Sequence, residues 1–414
     1  MTAMKILFIQ PTGDKRGHYG IYTVNLCQEL AKLGNEVWLF TNRIYPEKFL
    51  ATEPLFKIIE YKKSKYVFEK FDECKNRNYV YYYWGYLRNC FVILRAALRF
   101  LKNNHFDVVQ IFDVEYGILS ILLRFYRKIL PSAVLMINAP NFAFSRYPGF
   151  FLKKLYKVFQ KAILKCRFGK EIKAVVTLGE FHKEELRKQF DLNKDFPIRV
   201  IYDGANPPPF FLKKEDARKK IGLNYQGTIF LFFGMLRRDK GIEYFFEAIS
   251  RLKNEEFKVL IAGSLFDYQE SEISNLIEKL KIKDKLFLKL DYINQNEVYF
   301  YFFASDVLVL PYIKIYTGGS GPLLKEAAVC KIPSIVSDVS EMGRLVKRNK
   351  MGLIAEPENP ASLAEKMKEF LEMPEKQRKE LGENAFKAAN TWQKMAKEYL
   401  EFFKEILSKN ESKE

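Results

Sequence analysis

The sequence predicts two α/β domains, each a doubly wound parallel sheet. Three observations carry that reading. The chain has 414 residues, more than one hydrophobic core ordinarily organises. Short apolar runs alternate with stretches of helical periodicity over residues 5–202, and do so again over 228–407. Between the two series lie Pro207, Pro208 and Pro209, and three consecutive prolines fit neither a helix interior nor a central strand. The domains are therefore read as 1–203 and 204–390, with a final helix in 391–414.

In the first series, Lys5–Gln10 is an apolar run expected as a strand, not the core of a signal peptide. Tyr19–Leu33 has helical spacing and stops at Gly34, a residue suited to the left-handed turn that ends helices. Glu36–Phe40 reads as a strand, and 42–80 as irregular, aromatic and basic. Then come a helix over Tyr83–Leu101, a strand over Asp107–Phe112, a helix over Tyr116–Leu130 and a strand over Ala133–Ile137. A basic helix over Leu152–Cys166, a strand over Lys173–Thr177, a helix over Phe181–Phe190 and a strand over Ile198–Tyr202 complete the series. In the second series, strands are expected over Thr228–Phe233, Phe257–Ala262, Lys285–Leu288, Val307–Leu310 and Ser334–Val336. Helices are expected over Gly241–Leu252, Glu270–Leu280, Asn296–Phe303, Pro322–Cys330, Pro360–Leu371, Lys376–Ala389 and Trp392–Leu407. Near-continuous apolar strands imply sheets covered on both faces, and ligands then bind beyond the carboxyl ends of the strands.

Composition narrows the class. Hydrophobic residues make up 48% and charged residues 29%, a globular balance. The five cysteines form no CxxC pair, and the three histidines, His18, His105 and His182, have no metal-ligand spacing. A reducing cytoplasmic setting is expected, with no metal site. No uncharged apolar segment reads as a membrane span. The net charge of +18 is unevenly placed. Residues 1–200 hold 34 Lys and Arg against 18 Asp and Glu, whereas 201–414 hold 34 against 32. The first half is therefore expected to meet something anionic: nucleic acid, an acidic membrane or a diphosphate-linked substrate. Its densest parts are Lys57–Lys75 and Lys153–Lys173. No helix-turn-helix, RRM or OB signature supports nucleic acid.

Two segments suit anion chemistry. Gly234 to Gly241 follows a strand and opens a helix, with Arg237 and Lys240 near the helix N-terminus. Guanidinium, ammonium and helix dipole together suit a diphosphate, although the spacing alone also fits a solvated basic loop. The second segment runs from Tyr316 to Ala327. Backbone amides of Gly319, Ser320 and Gly321 ahead of Pro322 form a candidate anion nest, and Glu326 one turn later suits ribose hydroxyls. His18, in the loop that holds Gly17, reads equally as a cleft-facing ligand or as a surface histidine.

These motifs resemble the family-4, GT-B, retaining glycosyltransferases. The resemblance spans most of the chain. It takes in the glycine loop at Gly17-His18, Gly34-Asn35-Glu36-Val37, and Tyr202-Asp203-Gly204 at the domain junction. It continues through the Gly234–Gly241 phosphate motif, Ser320-Gly321 with Glu326-Ala327, Pro333 to Ser337, and Gly352-Leu353 to Leu363-Ala364. It implies two Rossmann-like domains facing each other across a cleft, with the last helix crossing back to the first domain. It also implies transfer of a sugar from a UDP- or GDP-linked donor to a glycan or lipid-diphosphate acceptor. Arg237 and Lys240 would stabilise the leaving diphosphate, without a metal or other cofactor. Gly17, His18, Gly234, Gly319, Ser320, Gly321 and Glu326 would bind the donor, and Asn138 would stand on the acceptor side. The chain departs from the pattern where Gly318 replaces the first carboxylate of the two-glutamate motif, where Met235 replaces an arginine, and where Asn138 replaces a histidine. A catalytically silent nucleotide-sugar binder is the alternative these departures suggest. The expected location is the cytoplasm, with peripheral contact at the inner face of an anionic membrane.

Overall fold

The computed structural model describes residues 3–14, 18–48, 50, 52–61, 79–112, 114–137, 151–294, 296–316 and 321–411. The chain divides into two compact units, Met1–Gly204 with Trp392–Glu414, and Ala205–Thr391. The first unit carries β1 (Lys5–Gln10), α1 (His18–Lys32), β2 (Glu36–Thr41), β3 (Lys57–Glu60), α2 (Tyr79–Phe100), β4 (Val108–Ile111), α3 (Tyr116–Tyr126), β5 (Ser132–Ile137), α4 (Phe151–Lys165), β6 (Ile172–Thr177), α5 (Glu180–Phe190) and β7 (Ile198–Val200). The second carries α6 (Lys214–Lys220), β8 (Ile229–Phe233), α7 (Ile242–Arg251), β9 (Lys258–Ala262), α8 (Glu270–Leu280), β10 (Leu286–Lys289), α9 (Val298–Ala304), β11 (Val307–Leu310), α10 (Pro322–Val329), β12 (Ser334–Ser337), α11 (Ser340–Asn349), β13 (Gly352–Ala355), α12 (Pro360–Glu372) and α13 (Glu375–Ala388). The last helix, α14 (Trp392–Glu411), belongs to the first unit.

Both sheets are parallel, which makes the fold α/β as the alternation predicts. In the first unit the strand order is β3-β2-β1-β4-β5-β6-β7, and in the second β10-β9-β8-β11-β12-β13. Alternate residues of β1 serve two cores. Ile6 and Phe8 pack with α1 and α14, while Leu7 and Ile9 pack with residues of α2, α3, α4 and α5. In the second unit every residue of β8, β11 and β12 is buried, as strands covered on both faces require.

Three expectations need correction. The stretch 42–80 contains β3, which pairs with β2 from Trp38↔Lys57 to Thr41↔Glu60. It is an edge strand with only two apolar residues, and an edge needs little hydrophobic cover. The alternation does not reveal α6, which is almost wholly charged, α11, whose apolar Met342, Leu345 and Val346 stand among charged residues, or β13, a four-residue edge strand. Gly34 does adopt a positive φ of 84° after α1.

Helix α14 buries Trp392, Met395, Tyr399, Phe402, Phe403 and Ile406 in the first unit's core. That is an i, i+3, i+7 stripe, the signature of a helix with one apolar face. The hydroxyls of Tyr399 and Tyr22 share a hydrogen bond of 2.9 Å inside that core, so neither phenol is left unsatisfied. Gly204 lies so close to α14 that an added Cβ would stand 2.6 Å from the Trp392 nitrogen.

Phe403 is fully buried. Its replacement by Ala should cost about 3–5 kcal/mol through lost burial and the cavity left behind. Chemical denaturation should show a lowered midpoint for the first unit's transition. An unchanged unfolding curve would mean that α14 contributes nothing to that core.

Candidate functional site

In the second unit, β8 and β11 are neighbours at the point where the strand order reverses. Chain leaving β8 crosses to one side of the sheet and chain leaving β11 to the other. The crevice outside the two carboxyl ends is where ligands bind in open parallel sheets. Both anion-suited loops start there. Gly234 follows Phe233 at the end of β8, and the 311–321 segment follows Leu310 at the end of β11.

The β8 loop is held by backbone. The Gly234 nitrogen donates to the Ala262 carbonyl at 2.8 Å and the Leu236 nitrogen to the Ser264 carbonyl at 2.9 Å. Gly234 has φ +89° and Gly241 has φ +66°, both in the left-handed region that favours glycine. A Cβ on Gly241 would meet the Pro311 carbonyl oxygen at 2.0 Å, so only glycine lets the two loops approach. The Ile313 nitrogen donates to the Asp239 carbonyl at 3.2 Å and ties them again. Helix α7 begins just after Gly241, so its unsatisfied amides belong to the same loop.

The basic side chains of the loop separate. Arg238 is exposed, lies over the Tyr268 ring at 4.6 Å and donates to Glu272 at 2.7 Å, so it braces the surface. Arg237 is largely buried and grips Asp239 with both Nε and Nη2, at 2.9 and 3.0 Å. Burial works against its charge, but the Asp239 carboxylate outweighs that and raises the pKa above the ordinary arginine value. Lys240 is buried, and its Nζ lies 5.9 Å from the Tyr312 ring centre. The position a Gly234 Cβ would take is 3.2 Å from that Nζ and 3.4 Å from Leu323 Cδ1, in the first turn of α10. Lys240, the Gly234 backbone and the start of α10 therefore meet at one point.

On the α10 side, Gly321 is the N-cap residue with φ +70°, and Pro322 takes the first helical position. Glu326 is half-buried on α10. Burial, then the Glu326 carboxylate, raise the pKa values of Tyr299 and Cys330. Thus Gly234, Lys240 and Gly321 lie around the reversal point, and Arg237 lies beside them with Asp239 in its grasp. Gly17, Asn138, Gly319 and Ser320 fall outside the described residues, and His18 is described only as the first backbone position of α1. Sequence reasoning assigned no role to Asp239, Tyr312 or Leu323. An acid two residues from an arginine in a tight loop was the available signal for the first.

The first unit repeats the reversal between β1 and β4. Its β1 loop is fixed by Asn42, whose Oδ1 accepts from the Gly13 nitrogen at 2.9 Å and whose Nδ2 donates to Asp14 at 2.5 Å.

Known proteins bear on this arrangement. Residues 20–207 match the family model described as Glycosyltransferase Family 4, and residues 213–388 match the model described as Glycosyl transferases group 1. The chain is 31% identical over 198 residues to an uncharacterized glycosyltransferase, MJ1607, of Methanocaldococcus jannaschii, covering 46% of this chain and 48% of that protein. It spans about half the length of the first curated relatives it matches. A glycosyltransferase structure from Rickettsia africae has a TM-score of 0.71 at 20% identity, over 98% of this chain and 99% of its own. A structure of Anabaena HepE in complex with UDP has a TM-score of 0.68 at 14% identity, over 97% and 100%.

Gly241→Ala should strain the backbone and collide with the Pro311 carbonyl, a change that ordinarily costs about 1–3 kcal/mol. Thermal unfolding should report a lower midpoint for the second unit. Retention of the wild-type midpoint would show that the two loops do not depend on this contact.

Proposed function

Because the chain belongs to the family-4 glycosyltransferases of GT-B fold, we propose that it moves a sugar from a UDP- or GDP-linked donor to a glycan or lipid-linked acceptor. The observation that carries this reading is the convergence of Lys240, the Gly234 backbone and the N-terminus of α10 at the reversal point of the second unit's sheet. The donor's bond from the anomeric carbon to the diphosphate breaks as the acceptor oxygen bonds to that carbon. Negative charge grows on the departing phosphate. Preorganised cations and helix amides stabilise that charge as it develops, which is usually the largest catalytic contribution. The departing phosphate takes the acceptor's proton on the same face, so configuration is retained. Lys240, Arg237 and the helix ends supply the positive potential, and the scheme calls for no metal. The basic first half suits a protein working in the cytoplasm, peripherally attached to the inner face of an anionic membrane.

In this reading Arg237 exchanges Asp239 for the donor diphosphate. Arg237→Ala and Lys240→Ala should each reduce turnover by ~10²–10³-fold, whereas Glu326→Ala should chiefly weaken nucleotide binding. Steady-state kinetics with wild-type values for all three variants would overturn the site. The base is chosen by thermal-shift measurements with UDP, GDP and ADP, where a ligand at ~100 times its Kd adds about 2.7 kcal/mol. Gly318 in place of the family's first glutamate favours a second reading, a silent nucleotide-sugar binder. That protein would give the thermal shift but no released nucleoside diphosphate with any acceptor.

A further inference from the structure

Helices α2, α3 and α4 pack side by side, and residues of all three enter the same core on one face of the first unit's sheet. None of the three contains an Asp or a Glu. Their outward positions alternate large apolar and basic side chains. On α2 the exposed stripe is Trp84, Arg88, Phe91, Arg95 and Arg99. On α3 it is Ile121, Arg124 and Phe125, and on α4 it is Leu155, Val158, Phe159 and Lys165. Trp84 is 68% exposed, Phe125 78% and Val158 67%, in a protein whose other large side chains mostly enter cores. Lys157 and Lys161 lie half-exposed along α4.

The carboxylate closest in sequence to these helices is turned inward. Glu115, the N-cap residue of α3, is buried. Its oxygens accept from the Gly117 and Ile118 nitrogens at 3.0 and 2.6 Å, from the Tyr156 hydroxyl of α4 at 2.8 Å, and from Gln160 of α4. Its own nitrogen donates to Cys90 Sγ of α2 at 3.4 Å. One buried acid thus fastens α3 to α4, its own backbone nitrogen reaches α2, and the three helices themselves carry no negative charge; the exposed Asp191, beyond them, pairs with Lys165 at 3.5 Å. Burial and this acid together raise the pKa of the Tyr156 phenol.

We propose that this α2–α3–α4 plate is the surface by which the protein docks on an anionic phospholipid bilayer. The inference rests on the peripheral-membrane reading above and names the face responsible. A layer of amphipathic helices lying flat puts aromatic and aliphatic side chains at headgroup depth, while arginines and lysines meet lipid phosphates. A second copy of the chain is disfavoured, because two layers of helices that carry cations and no carboxylate of their own repel each other. Nucleic acid would satisfy the cations but leave Ile121, Leu155 and Val158 in water.

The test uses the full-length protein and co-sedimentation with vesicles of phosphatidylglycerol and phosphatidylcholine, against phosphatidylcholine alone. Wild-type protein should pellet only with the anionic vesicles and come off as salt rises, since the Debye length shortens. Trp84 emission should shift to the blue on binding. The exposed-site variant Phe125→Ser with Val158→Ser and Phe159→Ser should lose binding by about tenfold or more, because removing one buried ring or branched side chain already costs that much. Arg124→Glu with Lys157→Glu and Lys161→Glu should not pellet. Both variants should keep the wild-type melting temperature and the wild-type thermal shift with nucleotide, which separates this face from the donor site. Wild-type binding by both variants would overturn the proposed face while leaving membrane attachment standing. Failure of the wild-type protein to pellet would remove both. Displacement of the protein from anionic vesicles by excess duplex DNA would instead assign the face to nucleic acid.

Discussion

The arrangement depends on the reversal of strand order between β8 and β11. Parallel neighbours whose connections leave toward opposite faces cannot close the gap beyond their carboxyl ends, so backbone amides and a helix start remain available there. The loops filling that gap run too close together for ordinary side chains. Gly241 faces the Pro311 carbonyl, and a Cβ on Gly263 would stand 2.2 Å from the Gly234 carbonyl oxygen. Glycine is needed at 241 and 263 to let backbone meet backbone. The same packing presses the Lys240 ammonium toward the Gly234 turn, where a diphosphate is proposed to sit.

Much of this was legible in the sequence, and the reasons differ by residue. Runs such as Ile229-Phe-Leu-Phe-Phe233 and Val307-Leu-Val-Leu310 are buried on both faces, and continuous apolar character announces them. Pro322 after Gly321 marks a helix start by chemistry alone. Strand β3 and helix α6 did not stand out because they hold few apolar residues, and α11 because charged residues interrupt Met342, Leu345 and Val346, the apolar face it buries. At the site, the basic loop was visible but its internal pairing was not. Nothing in a linear reading says that Arg237 folds back on Asp239 while Arg238 turns outward to Glu272. Such choices follow from which side of a tight turn each residue occupies.

The basic excess of the first half likewise acquires a place. Some of it is spent on internal ion pairs, such as Arg167 with Glu171 and Arg199 with Glu405. Lys165 of α4 is likewise paired, with Asp191, whereas Arg124, Lys157 and Lys161 stand among exposed apolar side chains on helices without a single carboxylate. Charge counting along the chain cannot distinguish these two uses. Only the packing shows that Glu115, the acid that caps α3, is turned inward onto α4.

The central claim is that the reversal point of the second unit receives the donor's diphosphate. Amide hydrogen exchange with and without a saturating nucleoside diphosphate tests it directly. Slowed exchange in peptides covering Gly234–Gly241 and Gly321–Glu326, with β9 and β13 unchanged, is the result this account predicts. Bound nucleotide that leaves both segments exchanging at their free rates, and protects residues elsewhere, would contradict it.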